Sequence, residues 1–136
     1  MLNTAESQKP IVIVGMGPGG MAAALKLAEK GKKVAILENR EEFARIQTVM
    51  LSPDSVNFLL SLTTLPDIKL SEFKRSLRAL NDKVKDKSVQ LTDSQMNDLE
   101  FLLELSKNDK KVELHELQEF FKRKMQEKYP NQIEII

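Results

Sequence analysis

The sequence predicts an α/β fold, a three-stranded parallel sheet with a helical insertion between its second and third strands. Three observations carry that prediction. The run Ile11-Val12-Ile13-Val14 leads through a glycine cluster into an Ala/Leu-rich stretch and then into a second apolar run, Val34 to Leu37. Several stretches between about residues 52 and 129 then show helical spacing. Ile133-Glu134-Ile135-Ile136 returns to strand character.

Composition suits one domain over residues 1–136. The chain carries 21 Lys plus Arg against 20 Asp plus Glu, with no cysteine and no tryptophan. A disulfide scaffold and thiol redox chemistry are therefore excluded. At this length folding hides roughly two-thirds of the surface of the unfolded chain, so a core forms without metal or cross-link. Residues 1–50 hold 7 basic and 5 acidic side chains and the rest hold 14 and 15, so neither part has a basic footprint for nucleic acid. The longest apolar run is far short of the roughly 20 residues of a membrane span, and the first ten positions are polar. A cytoplasmic location is expected.

Each element has a local reason. Ile11 to Val14 is β-branched without polar alternation, which predicts a parallel strand covered on both faces. Gly20 to Lys30 places Met21, Leu25 and Ala28 on one helical side, and Gly31 stands where a left-handed C-terminal residue belongs. Short connections to Val34–Leu37 then require a parallel, right-handed crossover, a strand-helix-strand unit over residues 11–38. Ser52-Pro53-Asp54 starts a helix ahead of Val56, Leu59 and Leu60, and Thr63 to Pro66 interrupts it. Ser71 opens another, with Phe73, Leu77, Leu80 and Val84 at helical spacing, which is expected to dissolve into the charged run from Asn81 to Ser88. Thr92 and Gln95 form a capping box before Met96, Leu99, Leu102 and Leu103. A loop at Lys107 to Lys111 precedes a helix from about Leu114 to Tyr129, ended by Pro130-Asn131, and the third strand is expected over about 132–136.

The glycine cluster carries the chemistry. Gly15-Met16-Gly17-Pro18-Gly19-Gly20 is a GxGxxG motif that follows a strand and opens a helix, the setting of a Rossmann-like dinucleotide site. Gly15 permits the tight turn, Gly17 lets backbone approach a diphosphate, and Gly20 allows close helix-to-strand contact. The helix N-terminus offers unsatisfied N–H groups and a partial positive charge, worth about 0.3–1 kcal/mol to an anion at an exposed end. Glu38 stands 23 positions after Gly15, at the end of the second strand, where a carboxylate accepts both hydroxyls of an adenosine ribose. The spacing alone leaves the identity of the dinucleotide open.

The stretch from Ile11 to Leu51 resembles the amino-terminal segment of FAD-dependent monooxygenases, of the para-hydroxybenzoate hydroxylase and MICAL types. Those families join a GxGPxG loop to a strand ending in Glu, then an Arg, and a further Arg shortly before a Val/Leu-rich segment. The matching residues here are Gly15, Gly17, Pro18, Gly19 and Gly20, then Glu38, Arg40 and Arg45, with Val49 to Leu51 as the apolar segment. The resemblance implies FAD as cofactor, with Glu38 on the ribose and Arg45 near the flavin diphosphate or ribityl chain. A guanidinium suits that task because its planar fork pairs with phosphate oxygens. Gln47 departs from the pattern where these hydroxylases often carry a second arginine. Val112 to Gln118 followed by Gln132 to Ile136 resembles the helix and strand on the adenine side of the same fold. The family's later Gly-Asp element and substrate domain have no counterpart here.

The fold expected is thus a partial Rossmann-like FAD-binding fold, in one incomplete domain with its insertion over about 52–129. The function expected is an FAD-binding segment of a flavin-dependent oxidoreductase or monooxygenase that is not catalytic alone. An inert protein-interaction module and an NAD-binding dehydrogenase domain are the alternatives. A sheet of order 3-2-1 leaves one edge of Ile11–Val14 bare, which invites a second polypeptide or self-association. Other signals have plainer readings. Counting back from Glu116 as the twelfth position of a calcium hand puts Leu105 first and Lys110 at the glycine turn, so calcium is excluded. His115 is the only histidine, with Glu113 and Glu116 nearby but no second nitrogen ligand, so no metal site is expected. Lys83 to Lys87 and Lys122-Arg123-Lys124 read as solvated helix faces, and Met16, Met21, Met50, Met96 and Met125 as packing residues.

Overall fold

The computed structural model describes residues 9–15, 17–37 and 48–136. The chain divides into two compact units, Met1–Gln47 with Leu114–Ile136, and Thr48–Glu113. Among the described residues no helix is long and apolar enough to cross a membrane.

The first unit holds strand β1 (Ile11–Val14), helix α1 (Pro18–Glu29) and strand β2 (Val34–Leu37). The strands pair in parallel from Ile11 opposite Val34 to Val14 opposite Leu37. α1 is fastened at its carboxyl end by Gly31, at φ +82°, whose N–H donates to Ala28 O, while Lys32 N–H donates to Leu27 O. These are the paired bonds of a Schellman ending, with glycine at the left-handed position. Later in the chain β5 (Ile133–Ile135) joins β2 on its other side, also in parallel, so the sheet order is β1-β2-β5. The mixed α/β class and the three-stranded parallel sheet match the expectation from sequence.

The expected burial of β1 on both faces is corrected. β2 lies between two strands and buries Val34, Ala35 and Ile36, whereas β1 is an edge strand with Val12 55% and Val14 80% exposed. Ile13 points toward the start of α1, so Val12 and Val14 occupy the opposite face, and that face is open. An apolar run specifies a strand but not what lies beside it.

The unit's second helix, the fifth α-helix in chain order among the described residues, spans Leu114–Lys128 and lies against α1. Its buried positions include Leu117, Phe120, Phe121 and Met125. Lys124 is the exception to the expected solvated cluster: it is 2% exposed, because it stands four residues after Phe120 and seven after Leu117 on the apolar stripe. Its ammonium reaches Glu127 Oε2 at 3.2 Å and sits 5.5 Å from the Phe120 ring centroid. An alkyl stem packed among apolar groups with its charge led to a carboxylate and a π face satisfies both halves of the side chain.

The second unit begins with β3 (Thr48–Met50) and α2 (Pro53–Ser61), the latter capped by Ser52, whose hydroxyl accepts from Ser55 N–H at 3.2 Å. A 3₁₀ turn, Leu70–Glu72, leads into α3 (Phe73–Lys85), which buries Phe73, Leu77 and Leu80. That helix carries Val84 and ends at Lys85, inside the charged run where it was expected to dissolve. α4 (Asp93–Lys107) starts at a complete Thr92/Gln95 capping box, and Gln95 Nε2 also donates to Thr64 O at 3.0 Å. From the last residue of the expected Lys107–Lys111 loop a further strand begins, β4 (Lys111–Glu113), antiparallel to β3 with Val49 opposite Val112. Val112 is buried and Met50 is 68% exposed, so Met50 is not the packing residue expected. The Leu114–Lys128 helix, henceforth α5, therefore belongs to the unit that carries the three-stranded sheet.

Both α3 and α4 end in the same two-bond pattern as α1, but without glycine. At the end of α3, Lys87 takes φ +64° and donates to Val84 O, and Ser88 donates to Lys83 O. At the end of α4, Asp109 takes φ +54° and donates to Ser106 O, and Lys110, at φ +66°, donates to Leu105 O. A side chain in this region costs energy that glycine does not. Asp86 supports the α3 ending: its carboxylate accepts from the Ser88 hydroxyl and, at 2.9 Å, from the Ser88 amide. Those bonds hold its pKa below the usual 3.8.

Lys87→Gly is expected to stabilise the protein by about 0.5–1 kcal/mol in chemical denaturation, because the turn is kept and its strain removed. The Asp86 carboxylate, with its folded pKa depressed, contributes stability that is present above the unfolded value and lost as pH falls through the folded one. Melting curves of the protein and of Asp86→Asn should accordingly converge as the pH is lowered from about 6 to about 2.

Candidate functional site: the glycine turn between β1 and α1

The turn is shaped by backbone. Gly15 leaves β1 at φ +93°, a conformation that a side chain rarely adopts, and its N–H donates to Leu37 O at 2.7 Å. That bond ties the turn to the end of β2. Gly17 is the N-cap of α1, extended at φ −67° and ψ 162°, and its carbonyl accepts the first helical bond from Met21 N–H at 3.0 Å. Pro18 follows in the first turn, where its fixed φ suits the helix and its missing N–H removes a donor that no helical carbonyl could have met.

Two properties of this helix start bear on ligand binding. Among the described residues no side chain caps the N-terminus, and the first turn contains no acidic residue. Most helices answer their leading amides with a Ser, Thr, Asp or Asn oxygen, as Ser52 and Thr92 do in the other unit. Here the capping position is glycine, so the leading amides and the positive end of the helix dipole are left to an outside anion.

The glycines divide into two kinds by their surroundings. Among the described residues, a Cβ built on Gly15, Gly17 or Gly19 meets nothing within 4 Å, so these leave open space over the turn. One built on Gly20 meets Gly15 O at 3.0 Å and Ile13 Cγ2 at 3.2 Å. Gly20 therefore lets α1 settle onto β1, while Gly17 faces a space that none of the described residues fills. A turn of bare backbone on which a Cβ at the second glycine meets none of the described residues fits a diphosphate.

Of the residues singled out from the sequence, the structure brings Gly15, Gly17, Pro18, Gly19 and Gly20 together at one turn. Glu38, Arg40 and Arg45 lie outside the described residues, as does Met16. The 3-2-1 strand order had left one edge of Ile11–Val14 bare, and the structure exposes the outer face of β1 as well: Val14, directly before the turn, is 80% exposed. His115 and Glu116 stand exposed in the first turn of α5.

Comparison with known proteins agrees with this geometry. Residues 10–85, more than half of the chain, match the family described as FAD binding domain, and the chain belongs to that family. FAD is its cofactor. The chain is also 32% identical over 89 residues to the all-trans-zeta-carotene desaturase of Myxococcus xanthus, a match covering 62% of this chain and 17% of that protein. The chain thus spans under a fifth of the length of this relative. No solved structure matches it.

Gly20→Ala is expected to lower stability by about 1–3 kcal/mol, since its methyl group meets a backbone oxygen that can move only if the turn or α1 moves. Gly19→Ala, which meets open space in an exposed first turn, should shift the unfolding midpoint far less. Parallel denaturation of the two variants reads the difference.

Proposed function

We propose that this chain binds the ADP moiety of FAD as the nucleotide segment of a flavin-dependent oxidoreductase of the monooxygenase type, and that it contributes no catalytic group of its own. The observation that carries the reading is the open space at Gly17 over an uncapped, acid-free helix start. Leading amides of α1 meet the diphosphate, and Gly15 and Gly17 let backbone come close enough to do so. Glu38 takes the ribose hydroxyls, which selects a nucleotide without a phosphate on that ribose. Arg40 and Arg45 supply charge-assisted hydrogen bonds to phosphate oxygens or to the ribityl chain. When bound, FAD supplies redox chemistry through its isoalloxazine ring, while the residues of this chain bind and orient.

The unit Thr48–Glu113 is, in this reading, an insertion between the second and third strands of the nucleotide-binding sheet. Similarity to a carotene desaturase favours a second reading within the same class, a flavoprotein that desaturates rather than hydroxylates. Both readings require the same nucleotide site.

Calorimetric titration with FAD, ADP and NAD side by side tests the shared claim. FAD and ADP are expected to bind, and NAD to bind more weakly or not at all. Gly17→Val should raise the dissociation constant for ADP at least about tenfold, a loss of about 1.4 kcal/mol, while leaving the melting temperature of the free protein unchanged. Equal ADP affinity in that variant would overturn the assignment, and tighter binding of NAD than of FAD would move it to the dehydrogenases.

A further inference from the structure

We draw no further inference here: the strongest candidate, the open edge and outer face of β1 where Val12 and Val14 meet solvent, carries nothing because nothing in the structure shows what covers it.

Discussion

The close approach of α1 to β1 at Gly20 is the constraint on which the rest depends. A helix following a parallel strand must fold back over the sheet within a few residues, and the shortest route brings its first turn against the strand just left. Even one methyl group at Gly20 would press on Gly15 O and Ile13 Cγ2. With hydrogen there instead, the leading amides of α1 arrive at the end of β1, beside the bond from Gly15 N–H to Leu37 O that joins the turn to β2. One missing side chain thus aligns a sheet and a helix dipole beneath the bare backbone of the turn. The electrostatic gain is modest, about 0.3–1 kcal/mol for an anion at an exposed helix end, so specificity has to come from fit and from added charge-assisted contacts.

Packing behind the turn keeps it in place. α1 buries Met21, Ala24, Leu25 and Ala28, with small residues where close approach is needed, and α5 lies against it. Gln132 Nε2 donates to Ala28 O at 3.2 Å, and Val34 N–H donates to Gln132 O at 2.7 Å, so the approach to β5 is anchored to both α1 and β2. Lys124 belongs to this assembly despite its charge. Removing a charge that is already paired and packed would also remove an alkyl stem from the apolar stripe, a double loss that its surface-like sequence context conceals.

Much of the fold was legible because the relevant signals are local. Ile11–Val14 and Val34–Leu37 have the strand bounds expected, Gly31 takes the left-handed position expected, and the Thr92/Gln95 capping box forms with both its bonds. What sequence did not reveal depends on neighbours. β3 and β4 are three residues long, and neither reads as a strand until Val49 finds Val112 across the ladder. Lys87, Asp109 and Lys110 end their helices in a conformation usually signalled by glycine, so the boundary signal was absent although the hydrogen-bond pattern is the same. The exposure of β1 could not be read from four β-branched residues, because burial is a property of what stands alongside. At the site, glycine spacing identified the turn and set Gly20 apart as the helix-to-strand contact, where a Cβ meets Gly15 O and Ile13 Cγ2, whereas one on Gly17 meets nothing within 4 Å among the described residues.

The pairing of β2 with β5 has a consequence for how the molecule comes into being. Val34 and Ile133 are ladder partners nearly a hundred residues apart in sequence. On a ribosome adding roughly 5–20 residues per second, β2 therefore waits about 5–20 s before the strand that flanks it emerges. During that interval the intervening residues 48–113, which form a contiguous compact unit, can fold while both sides of the nascent sheet are still incomplete. Order acquired in that segment shortens the effective tether between β2 and β5, lowering the entropic cost of closing so long a loop. Closure thus comes late in synthesis, and until it occurs β2 presents a row of unpaired backbone N–H and C=O groups, flanked by apolar side chains, to chaperones and to other nascent chains.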